Sequence, residues 1–199
     1  MKKILNVISS ARGAASNSTQ LVNAINEKLI SQYPGSAVKV RDLVEHHYPH
    51  LEESHLNAFY APAENATQES KEAAKHSNEA IEEVFEADII VIGVPIYNFN
   101  IPSALKAWLD HIVRAGKTFS YQSGRPEGLI KDKKVYLAIA SGGIYSDGPM
   151  KSYDFAEPYL RTLFGFLGVT DITTFRVEGV NMPDLKETAL QKGIESIVL

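Results

Sequence analysis

Three short stretches of the chain carry residue types that could hold a ligand, and each suits a different part of one. Ser10, Ser16 and Ser18, with Asn17 and Arg12 beside them, crowd the stretch between an apolar run and a helical pattern. Hydroxyl donors, free backbone N–H groups and the positive end of a helix dipole are what a phosphate requires. Ile96-Tyr97-Asn98-Phe99 lies between Pro95 and Pro102. Aromatic faces with fixed amides at the edge suit a flat heteroaromatic ring. Ser141-Gly142-Gly143 ends an apolar run, and paired glycines let backbone N–H groups come close to a ligand where a Cβ would collide. Each stretch also has a plainer reading. Ser16 or Ser18 could be a helix N-cap, the aromatics could pack beneath a helix, and the glycines could form an ordinary tight turn. There is no Gly-x-Gly-x-x-Gly and no P-loop lysine, so a monophosphate held by neutral donors fits better than a pyrophosphate or triphosphate.

These loops owe their placement to the elements between them. Ile4 to Ile8, Ala37 to Val40, Ile89 to Val94, Lys134 to Ala140 and Ile172 to Val177 read as five strands. The third is apolar at nearly every position, as expected of a central parallel strand buried on both faces. Between them, Ser18 to Gln32, 67 to 86, the stretch after Pro102, 155 to 167 and 184 to 198 carry helical spacing. Strands alternating with helices predict an α/β fold with right-handed crossovers and helices on both faces of the sheet. Ligands of such folds lie outside the carboxyl ends of the strands, which singles out the loops after strands one, three and four. Those are the three stretches described above, and their convergence at one end of one sheet is the strongest signal in the chain. Two segments break the alternation: residues 43 to 66, irregular and aromatic, and 116 to 130, a small hairpin.

Composition narrows the class. At 199 residues with 44% hydrophobic and 22% charged side chains, a single domain over 1–199 with a sizeable core is expected. Twenty Lys and Arg against 24 Asp and Glu leave a net charge of −4, which argues against a nucleic-acid partner. Without cysteine there is no disulfide framework, thiolate metal site or cysteine nucleophile. The apolar run at Ile4 is too short for a signal-peptide core or a membrane span, so no membrane association and a cytoplasmic location are expected.

Taken together, these residues resemble the flavodoxin-like family of FMN-dependent NADH azoreductases, which also act as quinone reductases. The resemblance spans essentially the whole chain. Its marks are Ser10-x5-Ser16-x-Ser18, Pro95-x-Tyr97-Asn98-Phe99-Asn100 and Gly142-Gly143-Ile144. Arg114-Ala115-Gly116-x-Thr118-Phe119-x-Tyr121, Pro126-x-Gly128-Leu129 and Gly165-Phe166-x-Gly168 add to them. The resemblance implies a doubly wound five-stranded parallel sheet of order 2-1-3-4-5. It places FMN phosphate at Ser10, Ser16, Asn17 and Ser18, and the flavin ring along Ile96, Tyr97, Asn98 and Phe99 against Ser141, Gly142 and Gly143. It further implies a homodimer with Tyr121 and Phe166 near the substrate space. The activity implied is two-electron, ping-pong hydride transfer from NADH or NADPH to quinones and azo compounds. Relatives often carry Ser-Arg ahead of the two glycines, whereas Ala140-Ser141 stands here; this keeps the backbone contacts and removes the arginine.

Other clusters are read as structural. His46, His47, His50 and His55 sit near Pro49 without cysteines or regular helical spacing, and are expected in a solvated or interface loop with no metal. Glu82, Glu83, Glu86 and Asp88 read as a solvated helix end, and Trp108 as core. A hydrolase built on Ser10 is disfavoured because the last histidine is His111. A flavodoxin-type electron carrier is the alternative function, although such carriers tend to be shorter and more acidic.

Overall fold

The computed structural model describes residues 1–61 and 67–199. Its frame is a five-stranded parallel sheet of β1 (Lys3–Ile8), β2 (Ala37–Asp42), β3 (Ile89–Pro95), β6 (Lys134–Ala140) and β7 (Asp171–Val177). The order is β2-β1-β3-β6-β7, the 2-1-3-4-5 arrangement expected once the hairpin strands β4 (Phe119–Ser120) and β5 (Glu127–Gly128) are set apart. The register pairs Ile8 with Asp42 and Gly93, Pro95 with Ala140, and Ala140 with Val177. The carboxyl ends of the central strands therefore finish nearly flush. The Ser9 hydroxyl ties two of them by donating to the Gly93 carbonyl at 2.6 Å.

The alternation of side chains along each strand divides the core into two layers. Leu5, Val7, Ile90, Ile92 and Val94 face a cluster containing Trp108 and Phe164. These belong to α5 (Ser103–Ile112) and α6 (Ala156–Phe166), and α4 (Lys75–Glu86) packs against α5 on the same side. On the opposite face Ile4, Ile8, Ile89 and Val91 meet Leu21, Ile25 and Leu29 of α1 (Asn17–Gln32), with α7 (Ala189–Glu195) beside them. Each such aliphatic side chain, fully buried, contributes about 1.5–3 kcal/mol of transfer free energy. Every residue of β3 is buried, whereas the edge strand β2 is largely exposed. Close packing at Gly193 is obligatory, because a Cβ there would lie 2.5 Å from Val177 Cγ2 and 2.7 Å from the Arg176 carbonyl.

The structure corrects four local expectations. The irregular stretch 43–66 contains a helix, α2 (Glu53–Tyr60); its last residues, 62–66, lie outside the described residues. The helix starts with the Glu52 N–H donating to His55 Nδ1 at 3.0 Å, an imidazole standing where a capping box normally has Glu or Gln. His55 is consequently buried rather than solvated. The helix expected over 67–86 is two, α3 (Gln68–Ala73) and α4, parted at Ala74. The closing helix is confined to α7, because 179–181 are tied to the loop after β6 and 182–188 follow as a series of turns. Finally, Glu83 is no solvated helix end. It is 4% exposed, paired with Arg41 and, at 3.0 Å, with Lys39. Burial alone would raise its carboxyl pKa, but hydrogen bonds from Arg41 and Lys39 hold it below the ordinary value.

Candidate functional site

The loop after β1 descends through a 3₁₀ turn at Gly13–Ala15, with Gly13 at φ +55°, into the start of α1. Ser16 stands at the N-cap position yet makes no side-chain capping bond. Its hydroxyl is instead hydrogen-bonded to Ser18 Oγ at 2.9 Å. The first N–H groups of a helix have no intrahelical partner, so this diversion leaves the start of α1 with donors to offer. Ser10, also buried, accepts from the Arg12 N–H at 3.3 Å and lies 3.3 Å from the Tyr97 hydroxyl. The plain N-cap reading of Ser16 therefore does not describe this loop.

After β3 the chain makes a two-residue turn in which Tyr97 and Asn100 exchange both backbone hydrogen bonds, at 3.0 and 3.1 Å. Its central residues, Asn98 and Phe99, both have positive φ, 49° and 69°. A mirror-image turn of this kind favours Asn-Gly. Asparagine tolerates the left-handed region, but a bulky residue there costs about 1–2 kcal/mol. The strain presents Phe99 on the surface, 5.6 Å from the Tyr153 ring and 6.2 Å from the Tyr145 ring.

The loop after β6 has a pronounced asymmetry. The carbonyls of Ser141, Gly142 and Gly143 accept from the N–H groups of Val180 (3.3 Å), Asn181 (3.1 Å) and Gly179 (3.1 Å). The Ser141 hydroxyl, also turned inward, donates to the Gly143 carbonyl at 2.8 Å. Among the described residues no backbone acceptor takes the N–H of Gly142 or Gly143. The two glycines differ in what they avoid. A Cβ at 142 would meet the Asn181 side chain at 2.5 Å, while one at 143 would touch only the Tyr145 ring, at 3.5 Å.

These loops enclose one open cleft of about 200 Å³, lined by Ser10, Ser16 and Asn17 at one end and Tyr97, Ser141 and Gly142 at the other. Tyr97 also borders an adjoining hollow of about 520 Å³ that includes Asn98, Lys106 and Tyr159. Burial, reinforced by the Asp110 carboxylate, pushes the pKa of the Tyr159 hydroxyl up to about 12. Arg12 lines the serine end of the cleft, the one cation there among the described residues.

Of the residues singled out from sequence, Ser10, Ser16, Asn17, Ile96, Tyr97, Ser141 and Gly142 line this cleft. Ser18 sits behind Ser16, and Asn98 faces the adjoining hollow. Phe99 and Gly143 border neither space directly and lie in the turns that shape them. Tyr121 and Phe166 are brought together around Phe119, with ring centroids 5.6 and 4.7 Å from it. Neither lines the cleft of its own chain. Phe166 lies seven residues along α6 from Tyr159, about 10 Å at helical rise. Sequence reasoning missed Val180 and Asn181, which complete the cleft wall. The signal was available, since they follow the fifth strand and the same carboxyl-end rule applies to its loop.

A family model described as the flavodoxin-like fold matches residues 2–198. An FMN-dependent NADH:quinone oxidoreductase of Mesorhizobium japonicum is 44% identical over 195 residues, covering 98% of this chain and 93% of the relative. One of the same name from Aromatoleum aromaticum is 48% identical over 179 residues, 90% of this chain and 88% of the relative. Among solved structures, an azoreductase from Bacillus anthracis superposes with a TM-score of 0.90 at 33% identity, covering 98% and 96% of the two chains. A second from that organism, an FMN-dependent NADH-azoreductase in complex with FMN, gives 0.86 at 26% identity, covering 97% and 94%. With the sheet order, the cleft at its carboxyl end and these matches in agreement, the chain belongs to the flavodoxin-like fold family, alongside its FMN-dependent NADH:quinone oxidoreductases and azoreductases.

Proposed function

We propose that the cleft holds FMN and that the protein is an FMN-dependent oxidoreductase passing electrons from NADH or NADPH to quinones and azo compounds. The observation that carries this reading is the polarity of the two loops facing the cleft. On the turn at 142–143 the carbonyls are engaged while the N–H groups have no backbone partner among the described residues, and at the start of α1 the capping hydroxyl is diverted to Ser18. A phosphate at one end and an electron-rich ring edge at the other would each meet donors. Ser10, Ser16, Asn17 and Ser18 would hold the phosphate, the backbone of Ile96, Tyr97, Asn98 and Phe99 would flank the ring, and Ser141, Gly142 and Gly143 would meet its far edge.

Bound FMN supplies two-electron chemistry between nicotinamide donor and acceptor, in ping-pong order. The chain's own part is binding, orientation and electrostatics. Donors fixed before reaction stabilise negative charge gained at the ring edge without reorganising, and the N–H groups of Gly142 and Gly143 are so fixed. No side chain of the cleft is assigned as a proton donor. Ser10 has Tyr97 and the Arg12 N–H as neighbours, while His111 bonds the Pro49 carbonyl. That arrangement gives no support to a serine hydrolase.

The reading includes a homodimer working in the cytoplasm. Tyr121 and Phe166, which do not line the cleft of their own chain, would then cover the substrate space of the partner. The described helices include none long and apolar enough to cross a membrane. The test is the visible spectrum of the purified protein, followed by anaerobic NADH in the same cuvette. Flavin absorbance that bleaches promptly is the expected result. Bound flavin that ignores both NADH and NADPH would favour an electron carrier, and a colourless protein that cannot be reconstituted with FMN would overturn the reading.

A further inference from the structure

The stretch after β7 forms the wall against which the glycine turn is built. Gly179, Val180 and Asn181 donate their N–H groups to the carbonyls of Gly143, Ser141 and Gly142. In a trans peptide the C=O of one residue and the N–H of the next point in opposite directions, and none of the described residues has a cis bond. Holding the Ser141 carbonyl therefore turns the Gly142 N–H away from this wall, and holding the Gly142 carbonyl does the same for Gly143. Two free donors are aimed by hydrogen bonds made on their reverse side.

Glu178 secures the other half of the loop. Its Oε1 accepts from the Tyr145 N–H at 2.7 Å and the Ser146 N–H at 2.9 Å, and its Oε2 from the Ser146 hydroxyl. Arg176, 3.4 Å away and also paired with Asp154 and Glu157, holds the carboxylate in place. Asn181 contributes differently, because its side chain lies on the cleft wall against Gly142. A carboxamide offers both donor and acceptor, and neither atom of this one has a hydrogen-bonded partner among those described for the chain.

We propose that Glu178 and Asn181 are determinants of FMN binding. Glu178 is a positioning residue that fixes the turn, and Asn181 is a cleft residue whose carboxamide hydrogen-bonds the cofactor. This rests on the FMN reading above and extends it to a loop the sequence motifs do not reach.

The test uses FMN itself, titrated into full-length apoprotein and followed by flavin fluorescence, with the apoprotein Tm and the midpoint potential of the bound flavin measured alongside. Asn181→Ala is expected to weaken FMN binding about tenfold, one hydrogen bond's worth, with the apoprotein Tm unchanged. Glu178→Ala is expected to weaken binding and make the midpoint potential more negative, because the N–H donors lose their aim. Glu178→Gln keeps an acceptor oxygen for Tyr145 and Ser146 and is expected to restore both. It also serves where the alanine variant fails to fold, since a potential close to that of the wild type is still required of it. Binding within about twofold of wild type in Asn181→Ala, with an unmoved potential in Glu178→Ala, overturns the proposal. Wild-type apoprotein that takes up no FMN overturns the functional reading as well, so the two failures are distinguishable.

Discussion

Two groups of polar side chains in this chain invite a functional reading, the serines after β1 and the histidines around α2, and the structure treats them oppositely. Around α2 the rings pack on one another in a closed cluster, although His111 Nδ1 and Arg114 Nε are buried there without a hydrogen-bond partner. His111 Nε2 lies 2.9 Å from the Pro49 carbonyl, which can only accept, so that nitrogen carries the proton. The His55, Tyr48 and Phe59 rings pack 5.4–6.0 Å from His111, and the Arg114 guanidinium stacks 4.5 Å over Phe59. Around α1 the groups share a void, and the bonds they make with one another leave donors over. Neither titratable character nor an unpaired polar atom marks the site here; what marks it is that its unspent donors border an open cleft, while those around α2 are sealed in packed side chains.

His111→Ala should break the first region. Removing a fully buried ring and its bond to Pro49 should cost about 2–4 kcal/mol of stability by denaturant unfolding, with FMN affinity unchanged. Ser16→Asp should do the reverse. A carboxylate where phosphate is expected should lower FMN affinity by about 100-fold, measured by fluorescence titration, with Tm held. Should both variants lose stability and affinity together, the two regions are one unit and the contrast fails.

Phe99→Gly probes the boundary between stability and site. Relief of left-handed strain, lost ring contacts and a more flexible unfolded chain should nearly cancel, leaving Tm within about 3 °C. FMN affinity should still fall about tenfold as the turn loses its aromatic cover. The smallest effect concerns pH. Burial lowers the His111 pKa, opposed by the bond to Pro49 and reinforced by His55 and His76. The fold thus prefers neutral imidazole, and the stability this contributes is complete above the unfolded pKa of about 6.5 and declines as pH falls towards the lower folded value. The nearby Asp110 carboxylate works weakly against this, while Tyr48 faces the same ring without titrating in that range and the Arg114 guanidinium lies over the neighbouring Phe59. His111→Gln should flatten the slope of Tm against pH below that point.

Much of the frame was legible because it depends on period and run length. The unbroken apolar run Ile89–Val94 marks a central strand wherever it occurs. What escaped depends on partners far along the chain. Glu83 reads as one more surface acid in an acidic helix until Arg41 and Lys39, on the edge strand, are seen to surround it. His55 starts a helix in a role that sequence rules give to other residues. In the site, serine spacing and the aromatic run were readable because each lies within one loop. The place of Asn181 was readable from the carboxyl-end rule, but its part was not, because that depends on a pairing between two loops separated by a strand and a helix.

That the Tyr121–Phe119–Phe166 cluster takes no part in lining the cleft of its own chain carries a consequence at the level of mixed populations. On the proposed dimer, a subunit crippled in its serine loop and one crippled at Tyr121 or Phe166 carry damage in opposite halves of what they share. Co-expressed, two such inactive copies should form hybrids in which one of the two sites is built wholly from undamaged parts. Activity should then reappear from a pair of variants that have none alone, at up to half the level of an intact dimer.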